Sequence, residues 1–206
     1  MFRSVLTHRT AKPIALVLGL LPLLALLAGA ATGGLGANPS ETLVRSSGDW
    51  TLRMLCITLA ISPLRMVTAT PQWLRFRRMA GLFTYFYACL HVLAYGWLDM
   101  GLVPADIVRD IAKRPFILVG VTGWCLLTAL AATSPKRILR WMGARRWQAL
   151  HRSVYAVAVL AVLHFYWMRA AKGNLQEVAA YGALLAGLLG WRLWHARSDR
   201  TNRPAS

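Results

Sequence analysis

The stretch W-Q-A-L-H-R-S-V-Y-A-V-A-V-L-A-V-L-H-F-Y-W-M, residues 147–168, decides the fold. It is long enough to cross a hydrocarbon core of about 30 Å. Yet it carries two imidazoles, His151 and His164. An ionisable side chain at membrane depth is costly, so it normally faces a bundle interior and carries function. A third histidine of this kind, His91, lies in the apolar stretch 84–97.

Composition points the same way. Of 206 residues, 57% are hydrophobic and only 15% charged, which places the chain in the membrane class. A net charge of +17 would ordinarily suggest nucleic acid, but the basic residues sit in short blocks between apolar runs. That is membrane topology, and no nucleic-acid partner is expected. Cys56, Cys89 and Cys125 all fall inside apolar runs without a C-x-x-C, so disulfides, zinc and covalent c-type haem are unsupported.

Six runs can cross a bilayer: 13–31, 50–67, 78–98, 116–133, 147–168 and 177–195. The expected fold is therefore an all-α integral membrane protein, a six-transmembrane-helix bundle forming one domain over 1–206. Pro63 should bend or end the second span. Sixteen Lys and Arg fall in the N-terminus (Arg3, Arg9, Lys12), the 65–78 and 136–146 connections and the tail (Arg192, Arg197, Arg200, Arg203). Six fall on the other side: Arg45, Arg109, Lys113, Arg114, Arg169 and Lys172. The asymmetry places both termini in the cytoplasm. The basic start and Ala28-Gly29-Ala30 also allow the first run to be a cleaved signal peptide, which would leave five spans of unchanged orientation.

The connections are short. Gly33-Gly34-Leu35-Gly36-Ala37-Asn38-Pro39 is a turn-rich link without the G-x-G-x-x-G spacing, and no P-loop occurs. Electrons for any redox work must come from another protein or a membrane-soluble carrier. Val103–Lys113 and Ile138–Arg146 read as short amphipathic helices at opposite surfaces. Trp50, Trp73, Trp97, Trp147 and Trp167 sit near span ends, as interfacial residues do.

His91 lies thirteen residues into the third span, roughly 20 Å along the helix at about 1.5 Å per residue. His164 lies thirteen residues beyond His151, at the same depth as His91. Two imidazoles level with each other on different helices suit the axial positions of one b-type haem. Bis-histidine iron without an open site shuttles electrons. The plainer alternative is a histidine bonded to a neighbouring helix. His151 and His164 sit about 140° apart on an ideal helix, so either that helix is distorted or the two face different neighbours.

Arg53, Arg78 and Arg152 near span ends read first as snorkelling side chains. As a functional alternative, guanidinium holds carboxylate or phosphate bidentately. Arg53 is then level with a haem propionate, and Arg75, Arg77, Arg78 and Arg152 face a flavin phosphate or quinone head group.

These residues carry a resemblance. G-G-L-G-A-N-P (33–39), I-S-P-L-R (61–65), R-F-R-R-M-A-G-L (75–82), L-H-V-L-A-Y (90–95), R-R-W-Q-A-L-H-R-S-V-Y (145–155) and L-H-F-Y-W (163–167) resemble the MsrQ family, formerly YedZ. Its members are haem-binding subunits of the bacterial periplasmic methionine sulfoxide reductase system MsrPQ, built on a ferric-reductase-like transmembrane domain. The resemblance implies a bacterial inner-membrane protein that takes electrons from the quinone pool or a cytosolic flavin reductase. They would pass through haem b, with FMN as a further cofactor, to a periplasmic molybdopterin reductase of the MsrP type. The chemistry on oxidised methionine would belong to that partner, not to this chain. His91, His151 and His164 stand at the family's haem-associated positions. Two-haem relatives carry a second histidine on the third helix where this chain has Arg77 and Arg78, so one haem or two stays open. Two other readings also stay open: a stand-alone ferric or quinone reductase-type cytochrome b, and a cofactor-free transporter or structural subunit.

Overall fold

A computed structural model describes residues 6–170, 173 and 175–201, with backbone alone for 196–201. Arg3, Lys172 and Arg203, counted above for orientation, lie outside the described residues. Among these residues the chain is helical with no strand. The helices are α1 (Ala11–Thr32), α2 (Pro39–Val67), α3 (Leu74–Ala94), α4 (Pro104–Lys113), α5 (Pro115–Ala132), α6 (Lys136–Met142), α7 (Ala144–His151), α8 (Val154–Ala170) and α9 (Gln176–Thr201). A 3₁₀ turn, Pro71–Trp73, leads into α3, and a π-helical turn, Tyr95–Asp99, closes it.

Five stretches are long and apolar enough to span a membrane: Ala11–Thr32, Pro39–Val67, Pro71–Asp99, Pro115–Ala132 and Ala144–Ala170. The sixth expected run lies within α9, which at 26 residues is long enough, but Arg192 and its polar end dilute its apolar content. On α1, Ile14, Val17, Leu18, Leu21, Leu24 and Leu27 are all exposed, the surface of a helix that lipid surrounds.

Two boundaries differ from the sequence reading. α2 begins at Pro39, not at 50, because Asn38 caps it by accepting from the Glu41 N–H at 3.2 Å and Pro39 fits the first helical position. Its polar opening turns hid it from a hydropathy reading. Its other end, Val67, is where the sequence reading put it, four residues past Pro63. The run 147–168 is not one helix: α7 stops at His151, and Arg152–Ser153 form a turn before α8. The helix carrying both histidines is thus distorted between them.

α2 with α3 forms the largest helix interface and α5 with α8 the next. Lipid offers no hydrophobic drive between helices, so close packing and hydrogen bonds must hold them. Leu55, Leu59, Ala158 and Leu185, each at most 2% exposed, join α2, α8 and α9. Thr58 and Thr84 hydroxyls meet across α2 and α3 at 3.3 Å. α1 is held by Tyr87, 0% exposed, whose hydroxyl donates to the Gly19 carbonyl at 2.6 Å. Phe83 lies so close to Gly19 that any side chain there would collide with it. Tyr87→Phe should destabilise the protein by about 0.5–1.5 kcal/mol by removing that hydrogen bond between helices, read as a lowered Tm in detergent.

Because neighbours run antiparallel, the starts of α2, α5 and α9 meet the ends of α3 and α8. This is the histidine end of the bundle. The opposite end gathers the close of α2, the start of α3, the start of α8 and the last turns of α9.

Candidate haem site

His91 of α3 and His164 of α8 face each other at the histidine end. Their ring centres are 6.2 Å apart and their planes 82° from parallel. His91 Nδ1 lies 2.8 Å from the Val44 carbonyl of α2. His164 Nδ1 lies 2.7 Å from the Phe116 carbonyl of α5. A carbonyl oxygen can only accept, so each Nδ1 carries the proton and donates. Each Nε2 is then left as a bare lone pair. This is the outer-shell bond that a metal-ligating imidazole makes.

Both rings rest on glycine. A Cβ at Gly120 would stand 2.9 Å from His164 Nδ1 and Cε1, and one at Gly48 3.1 Å from the same atoms of His91. Gly48 lies four residues after Val44, and Gly120 four after Phe116. On both sides, one turn of the neighbouring helix supplies a carbonyl to orient the ring and a bare Cα to let it approach. Two separate helix pairs present their imidazoles in the same way.

The pair fits one iron. Metal–imidazole bonds of about 2 Å, with each ring centre about 1.1 Å further on, put two opposed ring centres roughly 6.3 Å apart. The observed 6.2 Å agrees with that. Among the described residues no cluster of three His, Cys, Asp or Glu side chains exists to hold a bare metal ion instead.

His151 is not part of this pair. It ends α7, its ring stacks on Trp147 with centres 3.7 Å apart, and its Nδ1 meets the Trp147 carbonyl at 3.1 Å. Its charged neighbour is Arg77. The arginines singled out in the sequence are scattered. Arg53 donates from Nε to the Tyr181 hydroxyl at 3.1 Å and lies over the Trp50 ring. Arg75 holds the Leu6 carbonyl at 2.8 Å. Arg77, Arg78 and Arg152 are exposed at the opposite end. The sequence reading counted Arg169 only as a connection charge, whereas it is 9% exposed and pairs with Glu177 at 2.6 Å. It passed over Gly48 and Gly120 and counted Arg192 only as a tail charge. An arginine directly after the apolar run that ends at Met168 was the signal the sequence offered for Arg169.

The architecture and the facing imidazoles define a class. Residues 47–162, more than half of the chain, match the family model described as ferric reductase like transmembrane component. A relative from Polaromonas naphthalenivorans is 57% identical over 92% of this chain and 87% of its own length. One from Bordetella pertussis is 51% identical over 90% and 91%, and one from Herminiimonas arsenicoxydans 42% identical over 94% and 89%. All three are named as the haem-binding subunit MsrQ of protein-methionine-sulfoxide reductase. The chain belongs to the MsrQ family. No solved structure matches it.

Proposed function

We propose that this chain is a b-type haem electron-transfer subunit, with one haem held between His91 and His164. The observation that carries this is the opposed pair at 6.2 Å, each ring with its Nδ1 committed to a helix carbonyl. When bound, haem would supply one-electron transfer, with His91 and His164 the residues that would hold it. The protein's part is positioning. Val44 and Phe116 fix the tautomer and raise the basicity of each Nε2. Gly48 and Gly120 admit the rings, and the apolar spans exclude water.

The bundle has six spans including α9, lies in the bacterial inner membrane and keeps both termini in the cytoplasm, on the charge asymmetry of its connections. The histidine end is then periplasmic, and Arg53 is assigned to a propionate only if it exchanges its Tyr181 contact for it. The chain links the quinone pool or a cytosolic flavin reductase to an MsrP-like periplasmic molybdopterin reductase, which repairs oxidised methionine. FMN or a quinone head group is assigned to the cytoplasmic end, beside Arg75, Arg77, Arg78 and Arg152. The names of the relatives support the reductase system, and the resemblance supplies the donor and acceptor.

Mixing the reduced protein with a purified MsrP-type partner tests this reading. Haem reoxidation that needs the partner supports it, and equally fast reoxidation by ferric chelates alone favours a stand-alone reductase. His151→Ala should leave haem content within about twofold of the parent, since His151 bonds and stacks on Trp147 and touches neither ring of the pair nor the carbonyls that hold them. Loss of half or more of the haem would instead assign a second haem to His151.

A further inference from the structure

Two helix pairs carry the imidazoles: His91 of α3 rests on α2, and His164 of α8 rests on α5. On one side of the bundle α3 packs directly against α5. On the other side α2 and α8 meet chiefly through α9, which contacts both. At the histidine end this second side carries charged groups. Arg169 of α8, 9% exposed, lies over the Phe165 ring with Cζ 5.3 Å from its centre, and donates from Nη2 to Glu177 of α9 at 2.6 Å. Phe165, the residue after His164, meets Tyr181 of α9 edge to face, and the Tyr181 hydroxyl accepts from Arg53 of α2. Asp49 follows the Gly48 that supports His91. Its cationic neighbours are Arg53, Arg169 and Arg45, and its acidic one is Glu177. Arg169 therefore stands on the helix of His164 and close to the residue beside the support of His91.

The Arg169–Glu177 pair is lopsided. The guanidinium side chain is 11% exposed and the carboxylate side chain 54%. An ion pair with a half-exposed member adds little to holding two helices together, whereas a buried guanidinium needs a carboxylate. Glu177 can turn to water at small cost, and Arg169 cannot follow it. We infer that Arg169 is a haem-binding residue: its guanidinium takes one propionate of the haem, and Glu177 is the carboxylate that holds the place until haem enters. The exchange is carboxylate for carboxylate, so the buried charge stays balanced, with Asp49 still set against Arg53. A guanidinium suits this task because its planar fork matches both oxygens of a carboxylate. Arg53 would have to give up Tyr181 to do the same. The inference rests on the His91–His164 haem reading and adds a residue that binds the same group away from its iron.

The test is a cycle of protein and porphyrin variants on the full-length protein in detergent. Parent and Arg169→Gln, each prepared without haem, are titrated with haem and with haem dimethyl ester, whose esterified propionates carry no charge. The Soret band reads binding. With haem, Arg169→Gln should bind about tenfold or more weakly, as losing a charge-assisted hydrogen bond does. With the ester the two proteins should bind alike, because the partner of the guanidinium is gone. Glu177→Gln should bind haem at least as tightly as the parent, since it removes a competing carboxylate. Equal haem binding by parent and Arg169→Gln overturns the assignment, and so does a penalty that persists with the ester. Equal losses in Arg169→Gln and Glu177→Gln overturn it too, because both would then report only the clamp between α8 and α9. If Arg169→Gln fails to accumulate, Arg169→Lys, which keeps the charge without the fork, should show a smaller penalty that the ester abolishes; no penalty overturns the assignment. A parent protein that takes up no haem sinks the His91–His164 reading, whereas a parent that binds haem beside silent Arg169 variants sinks the propionate assignment alone.

Discussion

His164→Ala is expected to cost the protein most of its haem, and His91→Ala to do the same. Each removes one of two opposed imidazoles whose outer-shell bonds are already made. Altering a mere outer-shell partner of a metal ligand costs about 10–100-fold in affinity, and deleting the ligand itself costs at least that. Haem per chain, from a pyridine haemochrome assay on protein shown to be helical by circular dichroism, reads the effect. Parental haem content in both variants would refute the assignment. Losing either imidazole also removes its hydrogen bond to the Val44 or Phe116 carbonyl, so a modest fall in Tm should accompany the loss of haem.

The second large effect should come from a residue with no chemistry of its own. Gly120→Ala adds a single methyl group 2.9 Å from His164 Nδ1 and Cε1. A flexible side chain would swing away, but this ring is tied to the Phe116 carbonyl at 2.7 Å on the same turn. To make room it must break that bond or move off the axis it shares with His91. Haem retention should fall about tenfold, with helix content unchanged. Gly48→Ala, where the approach is 3.1 Å, should do the same more weakly. Gly187→Ala, whose Cβ meets nothing within 4 Å, is the control and should keep its haem. Equal haem in Gly120→Ala and Gly187→Ala would show that the close contact does not constrain the ring.

What the sequence made legible followed from periodicity and rise. Helices are regular, so the shared depth of His91 and His164 could be read from thirteen residues at about 1.5 Å each. The structure brings those two rings together. The long apolar runs reported the spans for the same reason, through residue type alone. α2 was misread at its start because Ser40–Asp49 is polar, although Asn38-Pro39 with Glu41 was a helix-start signal in plain view. The break after His151 had no such signal: Arg-Ser is not a helix-breaking pair, and the turn is set by tertiary packing.

The supporting residues were illegible for a different reason. Gly48 and Gly120 matter only through rings that stand 43 and 44 positions away in the chain, and one sequence carries no record of which helix faces which. Arg192 was set down as a cytoplasmic tail charge, whereas its side chain turns inward to Tyr155 and Leu59. Arg53 is committed to Tyr181 and Trp50, contacts that span spacing cannot show.

The most direct test of the central claim is electron paramagnetic resonance of the oxidised protein, with haem counted per chain. Two axial imidazoles with planes 82° from parallel should give one low-spin ferric haem per chain with a strongly anisotropic signal, lost in His91→Ala and His164→Ala. A high-spin signal from five-coordinate iron, or a low-spin signal that survives both substitutions, would contradict the account.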